Sequence, residues 1–427
     1  MNCKNILEYS LKVMKEAGAE KAQSELIVSE KQELNTESNK VKLFRSNENV
    51  TLKLRFIKDN RQGSLTLNKV SEDAIDEGVN ELVKITAASP QDDAYDIAIK
   101  SDETFEIGVT EPDLDKVFDN LNHFTQDMKA KFSKISGDAI LSYDNHKRYI
   151  MNTNDLYLIE NLGYYDFNML FAAKDGDKIT SFNYTGAAMT DLNRELIKVG
   201  MMDGLLEQTI LELDAKSIGE KFVGEVIITP HCLTDLLHVY SGIALQDRCM
   251  ITDVSVLKDK VGEQVASPMF TWHANPRSVD VGQALTSDGF VAEDMPIIEK
   301  GILKNLMLTQ YGAKKTGRER SKNHSDRYVV QPGKVTLDSM IKDVKKGILL
   351  CRFSGGQPSF DGNFSGVAKN SFYIENGEIR FPISETMVSG NLFNIFEEIK
   401  NISSETIDFG LSVLPWIHTD KTTISSK

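Results

Sequence analysis

The sequence predicts an α+β fold, with an N-terminal part of two α/β units followed by a β-rich C-terminal domain. Hydrophobic periodicity gives the order helix, strands, helix twice, over residues 1–90 and again over residues 113–218. From Gly219 onward Gly, Asp and Asn become frequent and the predicted strands become short. Helices that are segregated from runs of strands are typical of α+β proteins. We therefore expect three units, over residues 1–110, 111–218 and 219–427.

The first unit begins with an amphipathic helix over residues 6–17. The segments predicted as separate strands are 22–31, 41–47 and 48–58. The third of them has the period of two that is typical of a half-buried strand. A short return strand and a helix capped by Ser71 follow. Residues 90–112 are acidic and lack periodicity, which predicts a linker or a long surface loop.

The second unit is predicted to begin with a helix over residues 113–132 and to end with helical residues 190–218. Its predicted strands are 139–146, 147–153 and 160–175. The third unit opens with a strand over residues 223–228 and a helix over residues 231–246. Short strands then alternate with turn residues to the C-terminal end, which predicts a sheet built from many short segments.

Composition excludes some classes of function. The net charge is −14 over 427 residues, and this argues against a broad basic surface for nucleic acid. No apolar run approaches the ~20 residues that a membrane span needs. The four cysteines are scattered without a Cys-x-x-Cys pair, as suits a reducing compartment. We expect a soluble cytoplasmic protein that binds neither nucleic acid nor membrane.

The stretch over residues 353–391 is rich in glycine between short apolar runs. Asn376-Gly377 lies between two predicted strands, and Asn-Gly is the strongest short-range signal for a two-residue hairpin. Earlier in the chain, Asp288 is predicted to lie in a solvated turn, and the basic run from Arg318 to Lys322 is predicted to lie in a solvated loop or on a solvated helix face. The stretch is therefore predicted to be an antiparallel segment with constrained turns.

Several short motifs carry a family resemblance. Residues 261–267 read VGEQVAS, 362–365 read GNFS, 374–379 read IENGEI and 389–391 read SGN. In this order they resemble the TldD/PmbA family, which is related to metallopeptidases and was formerly called "modulator of DNA gyrase". The family contains a zinc-bearing TldD type of subunit and a metal-free PmbA (TldE) type. The resemblance extends over almost the whole chain and is strongest after Gly219.

The position of the zinc motif distinguishes the two types. In the TldD type a helix carries H-E-x-x-x-H, in which both histidines hold zinc and the glutamate acts on the metal-bound water. Counting back from VGEQVAS aligns His238 with the first histidine, Val239 with the glutamate and Ile243 with the second histidine. One imidazole cannot hold a zinc that needs three protein ligands, and valine cannot accept a proton. The resemblance therefore implies the metal-free PmbA/TldE type.

This resemblance implies a subunit of a cytoplasmic peptidase that acts in proteolysis or peptide maturation and is inactive alone. Zinc is expected only in a TldD-type partner subunit, and this chain is expected to need no cofactor. The substrate is expected to be an extended peptide that adds as a strand to a sheet edge. No residue is predicted to be catalytic. The candidates for the peptide groove are Gly355, Asp361, Phe364, Ser365, Asn376 and Asn391. The alternative is a stand-alone homodimer that binds peptides without cutting them.

Overall fold

The computed structural model describes residues 2–37 and 40–426. Within this part of the chain, an eight-stranded sheet occupies the N-terminal region. Its strands are β1 (Lys21–Glu37), β2 (Lys40–Lys58), β3 (Arg61–Leu67), β4 (Asp102–Gly108), β5 (Ile135–Asn152), β6 (Tyr157–Asp175), β7 (Lys178–Ile179) and β8 (Asn183–Met189). The order is β3-β2-β1-β5-β6-β4, and β7 and β8 also pair with β6.

Four helices pack on this first sheet in two groups. They are α1 (Cys3–Glu16), α2 (Glu72–Ala88), α3 (Leu114–Lys131) and α4 (Met202–Leu211). The first two cover a core around Leu26 and Leu52, and the last two cover a separate core around Leu141 and Phe167. In α1 the predicted apolar stripe is the buried face, and Asn2 caps its N-terminus through a hydrogen bond from Asn5 N.

The structure corrects several predicted boundaries in this region. The segments 41–47 and 48–58 form one strand, β2, because the polar residues between them pair with β1 through backbone hydrogen bonds that do not depend on side chains. The segments 139–146 and 147–153 are likewise one strand, β5. Part of the predicted linker is strand β4, which runs parallel to β6. Of residues 190–218 only α4 is α-helical, because Gly200 adopts a positive φ of 57° just before it.

The strands of both predicted N-terminal units belong to one sheet. Strand β1 pairs with β5 from Gln23 to Asn35, and β4 pairs with β6. These contacts cross residue 110, the predicted boundary between the first two units. The division into three domains stays a prediction.

A second sheet occupies the C-terminal region, and within the described residues it has 13 strands. They are β9 (Lys221–Ile228), β10 (Trp272–Ala274), β11 (Met295–Glu299), β12 (Ile302–Leu303), β13 (Tyr328–Val330), β14 (Lys346–Leu350), β15 (Arg352–Ser354), β16 (Asn363–Lys369), β17 (Phe372–Glu375), β18 (Glu378–Pro382), β19 (Thr386–Asn391), β20 (Ile399–Asp408) and β21 (Val413–Ser426). Strand β21 lies centrally and pairs with β9, β13, β19 and β20.

The helices of this second region are short except for α5. They are α5 (Pro230–Ala244), α6 (Asp247–Ile251), α7 (Gln310–Thr316), α8 (Leu337–Asp343) and α9 (Leu392–Glu397). The largest core of the protein lies here, with Trp272, Tyr240 and Phe396 fully buried and in edge-to-face contact around Tyr240. The predicted α+β class and the strand-rich C-terminal region are confirmed. Among the residues described, no helix is long and apolar enough to cross a membrane.

Hydrogen bonds join the two regions. On β6, Glu160 accepts hydrogen bonds from the backbone N–H groups of Ala284 and Leu285, at 2.5 and 3.0 Å from Oε1. On β5, Arg148 donates from Nη1 to the carbonyl oxygen of Leu285 at 3.3 Å. The C-terminal segment around these two residues is therefore attached to the polar face of the first sheet.

The predicted Asn-Gly hairpin joins β17 and β18. Asn376 and Gly377 have φ values of 52° and 78°, as a type I′ turn requires. A Cβ atom on Gly377 would lie 2.7 Å from the carbonyl oxygen of Lys342. This hairpin is therefore fixed both by backbone conformation and by its contact with α8.

Gly377→Val is expected to lower the free energy of unfolding by about 1–3 kcal/mol, because valine is strained at positive φ and would displace Lys342. Thermal or denaturant unfolding measures this change. Gly204→Val in α4 is the matched control, since a Cβ there meets no atom within 4 Å. An unchanged unfolding midpoint for Gly377→Val would contradict the assigned turn.

Candidate functional site

Helix α5 lies at the junction of the two regions and carries His238, Val239 and Ile243, which the sequence analysis aligned with the zinc motif. It begins at Pro230, and Thr229 caps it through a hydrogen bond from Cys232 N. One face is buried in the C-terminal core through Leu233, Leu237 and Tyr240. The opposite face carries His238 and points away from that core.

His238 is held by hydrogen bonding and by charge. Its Nδ1 lies 2.8 Å from the carbonyl oxygen of Thr234, and because a carbonyl only accepts, Nδ1 carries the proton. Its Nε2 lies 3.7 Å from Oδ2 of Asp326, and the ring packs against Tyr328. The interaction with Asp326 raises the pKa of His238, although burial opposes this shift. The same interaction lowers the pKa of Asp326 to about 2.

The donor set at this helix does not fit a catalytic zinc. Val239 and Ile243 are partly buried and pack against the hydrophobic core, so neither offers a ligand or a proton acceptor. Cys351 is the cysteine nearest to the C-terminal end of the chain, and it is buried in a separate apolar cluster. Burial raises the pKa of its thiol well above the usual value, so it is a poor thiolate ligand. Within residues 2–37 and 40–426, no group of three or more His, Cys, Asp or Glu side chains is arranged to hold a metal ion.

Two cavities meet at His238. The first has a volume of about 320 Å³ and lies between α5 and strands β6 and β8 of the first sheet. The second has a volume of about 370 Å³ and lies between α5 and the C-terminal segments around Thr286 and His324. His238 and Asp326 line both cavities. Together they form a cleft at the junction of the two regions, which we call the junction cleft.

The first cavity combines a sheet edge with aromatic and acidic side chains. Gly186 and Ala188 of β8 line it, and within the described residues β8 pairs only with β6. Tyr184 packs edge-to-face on His231 at 4.9 Å between ring centroids. Burial raises the pKa of Asp166, although a hydrogen bond from the neighbouring Asn168 opposes the shift.

The second cavity contains residues that the sequence reasoning missed. Asp288 was predicted in a solvated turn, but it is buried, with only 7% of its surface exposed. Arg320 pairs with it through Nη2 at 2.8 Å from Oδ1 and through Nε at 3.0 Å from Oδ2. Burial alone would raise the pKa of Asp288, but the hydrogen bonds and charge of Arg320 outweigh burial and lower it to about 2. Ser287 and His324 lie beside this pair and line the cavity.

The six predicted groove residues are not all brought together. Gly355, Asp361, Phe364, Ser365 and Asn391 belong to strands β15, β16 and β19 or to the loop between them. Asn376 lies in the β17–β18 turn, which is a separate hairpin. None of the six lines either cavity of the junction cleft. Their role in peptide binding stays a prediction.

The loop around Asp361 satisfies its own polar groups. The Asp361 carboxylate accepts hydrogen bonds from Ser359 Oγ and from Asn363 Nδ2, the latter at 2.7 Å. Asn391 donates from Nδ2 to the Asp361 carbonyl at 2.8 Å and caps α9 by accepting from Phe393 N. These contacts explain the glycines and asparagines of this stretch as turn and capping residues.

The sequence and the fold are similar to those of known proteins. Residues 222–426 match the family model described as PmbA/TldA metallopeptidase C-terminal domain. The chain is 22% identical over 384 residues to the zinc metalloprotease TldD homolog of Saccharolobus solfataricus, and this match covers 84% of the chain and 83% of the relative. It is 27% identical over 247 residues to the metalloprotease PmbA of Escherichia coli O157:H7, with 55% of the chain and 52% of that relative covered.

A solved structure from Bacteroides thetaiotaomicron, labelled as a modulator of DNA gyrase, superposes with a TM-score of 0.89 at 20% identity. It covers 99% of both chains, so the whole fold is shared. These matches show that the chain is similar to proteins of the metallopeptidase-related PmbA/TldD class. It carries the C-terminal domain of the PmbA/TldD family, and the predicted resemblance to that family is confirmed. The chain spans about half the length of the PmbA relative that it matches.

Proposed function

We propose that this chain is a PmbA/TldE-like, metal-free subunit of a cytoplasmic two-subunit peptidase. In this proposal a TldD-type partner subunit carries the zinc, and this chain binds and positions an extended peptide for proteolysis or maturation. The observation that carries the proposal is the pair Val239 and Ile243. Both pack on the core at the positions where the zinc-bearing type has its glutamate and second histidine.

The state of His238 supports the metal-free assignment. Zinc binds the lone pair of a neutral imidazole nitrogen. Here Nδ1 donates to the carbonyl oxygen of Thr234, which leaves Nε2 as the one nitrogen that could bind a metal, and Nε2 faces the ionised Asp326 at 3.7 Å. Asp326 favours a proton on Nε2, so a metal cation at Nε2 would have to compete with that proton. Even without that competition, a single histidine supplies one of the three protein ligands that a catalytic zinc needs.

The junction cleft supports the peptide-binding part of the proposal. Strand β8 lies at an edge of the first sheet and lines the first cavity, where its Ala188 N–H already donates to the carbonyl oxygen of Phe409 at 3.0 Å and its other outward groups face the cavity or its walls. An edge strand presents backbone groups with which an extended peptide can pair, largely independently of its sequence. Asp166, Asp235 and Asp326 give the cavity an acidic lining, so a peptide with basic side chains is the better match by charge.

Peptide cleavage by separate and mixed subunits tests this function. The chain alone is expected to cleave no peptide, because it supplies neither a metal-bound water nor a base for it. A mixture with a zinc-bearing TldD-type subunit is expected to cleave in a chelator-sensitive manner. His238→Ala is expected to change the activity of the mixture by no more than about tenfold, a loss of at most about 1.4 kcal/mol of transition-state stabilisation.

Two results would contradict the proposal in different ways. Chelator-sensitive cleavage by the chain alone would show a metal site that the donor set does not predict. A mixture that neither cleaves nor associates would favour the stand-alone homodimer that binds peptides without cutting them. A loss of several kcal/mol of transition-state stabilisation in His238→Ala would show that His238 acts in the reaction itself.

A further inference from the structure

The second cavity of the junction cleft contains a serine in direct contact with a histidine. Ser287 Oγ lies 2.7 Å from Nε2 of His324. The side chain of Ser287 is exposed to the cavity, whereas its neighbours Thr286 and Asp288 are buried. A serine hydroxyl hydrogen-bonded to an imidazole is the pairing on which nucleophilic serine catalysis depends.

The turn that carries Ser287 is held firmly. Thr286 Oγ1 donates to Asp288 Oδ1 at 2.6 Å and accepts from Phe290 N at 3.0 Å. Asp288 Oδ2 accepts from the backbone N–H of Gln310 at 2.8 Å, in addition to its ion pair with Arg320. Because both neighbours of Ser287 are fixed, the hydroxyl keeps its position relative to His324. Fixed geometry of this kind is what a nucleophile needs for efficient attack.

The surroundings of His324 favour its action as a base. Burial lowers the pKa of His324, so the ring is neutral at pH 7 and its Nε2 is able to accept a proton. The charged groups that face the ring are Asp288, Arg320, Asp247 and Arg148. The nearest carboxylate oxygen, Oδ1 of Asp288, lies 4.0 Å from Nε2. Asp288 and Asp247 favour the imidazolium that forms during proton transfer, whereas Arg320 and Arg148 oppose it.

We propose that Ser287 and His324 form a nucleophile–base pair that takes acyl groups from short carboxylic esters bound in the second cavity. Ser287 Oγ forms a bond to the carbonyl carbon, and its proton passes to His324 Nε2. The bond to the leaving alkoxide then breaks, and the alkoxide takes that proton. A water molecule attacks the acyl-serine in the same way, releasing the carboxylic acid and restoring both side chains.

The pair differs from a full catalytic triad at the second ring nitrogen. In a triad a carboxylate accepts from Nδ1 and orients the imidazole. His324 Nδ1 is buried and has no hydrogen-bond partner among the residues described. The ring is therefore oriented by packing and by its hydrogen bond with Ser287, without a carboxylate at Nδ1. We expect the pair to react with activated esters and organophosphonates, and not with peptide bonds, so this activity is separate from the proposed peptidase role.

Labelling with a fluorophosphonate tests the pair. The probe is expected to form one adduct per chain, with fluoride as the leaving group, and peptide mapping is expected to place it on Ser287. Ser287→Ala is expected to give no adduct. His324→Gln is expected to slow labelling by at least about 100-fold, the size of a general-base contribution. Labelling should also fall as the pH is lowered through the pKa of His324, which lies below 6.5.

Ser325→Ala is the matched control, because Ser325 lines the same cavity but bonds to Asn323 and not to His324. It is expected to be labelled at the wild-type rate, and a chelator is expected to change none of these results. The thermal transition of each variant shows whether it is folded. Wild-type protein that keeps its transition but forms no adduct would overturn the proposal. An adduct that maps elsewhere, or that persists in Ser287→Ala, would also overturn it.

Discussion

Arg320→Met is expected to lower the free energy of unfolding by about 3–5 kcal/mol at pH 7, the usual result of removing one partner of a buried ion pair. The substitution keeps most of the side-chain volume and removes the charge. Arg320 makes two hydrogen bonds to Asp288 and stacks on Phe290 at 3.8 Å from the ring centroid. Without the guanidinium, the buried Asp288 carboxylate loses the partner that keeps it ionised. Denaturant unfolding measures the loss.

The pH dependence of this loss is a second, independent test. In the wild type the pKa of Asp288 is lowered to about 2 from 3.8, so its contribution to stability is present above pH 3.8 and is lost as the pH falls towards 2. The difference between wild type and Arg320→Met should therefore persist down to about pH 4 and shrink as the pH falls from 3.8 towards 2. Arg318→Met is the matched control, because Arg318 pairs with the exposed Asp259 and should cost no more than about 1 kcal/mol. Equal costs for the two variants would contradict the account.

Glu212→Gln is expected to stabilise the protein by about 3 kcal/mol at pH 8 and to have almost no effect at pH 4.5. Glu212 is buried, and burial raises its pKa from 4.5 to about 7 against the opposing effects of Asn370 and Arg352. The unfolded chain therefore loses this proton at a lower pH than the folded protein does. Stability falls as the pH rises from about 4.5 to 7, by about 1.4 kcal/mol for each unit of pKa shift.

A glutamine removes this loss, because it stays neutral and can still accept the hydrogen bond that Asn370 donates at 2.8 Å. Thermal unfolding at both pH values measures the effect. Glu207→Gln in the preceding helix α4 is the control, since Glu207 is exposed. An effect of Glu212→Gln that does not vary with pH, or a loss of stability at pH 8, would show that the carboxyl is not buried as described.

Local patterns in the sequence predicted the elements whose cause is local. The apolar stripe of α1, the Asn-Gly hairpin and helix α5 all lie close to where periodicity and turn chemistry placed them. The strand boundaries that were predicted wrongly depend on pairing with strands that are distant in the sequence. Strand β4 is rich in acidic residues, and only its parallel pairing with β6, about 55 residues away, makes it a strand. The polar middle of β2 is likewise a strand because β1 lies beside it.

In the candidate site, too, some features could be predicted from the local sequence and others depend on contacts between distant residues. The alignment of Val239 and Ile243 with the zinc motif rests on the sequence alone, and their partial burial against the core follows from their apolar character. The environment of Asp288 is not visible, because its partner Arg320 is 32 residues away and looks like part of a solvated basic run. The contact between Ser287 and His324 also spans 37 residues. Such contacts follow from tertiary folding, and no local pattern encodes them.

The zinc content of the purified protein tests the central claim most directly. Protein prepared without a metal-affinity tag, incubated with zinc and then dialysed, is expected to retain well under one zinc per chain by elemental analysis. His238→Ala is the matched control, and it is expected to retain as little, since His238 supplies at most one ligand. Stoichiometric zinc that survives dialysis in the wild type and is lost in His238→Ala would contradict the metal-free assignment.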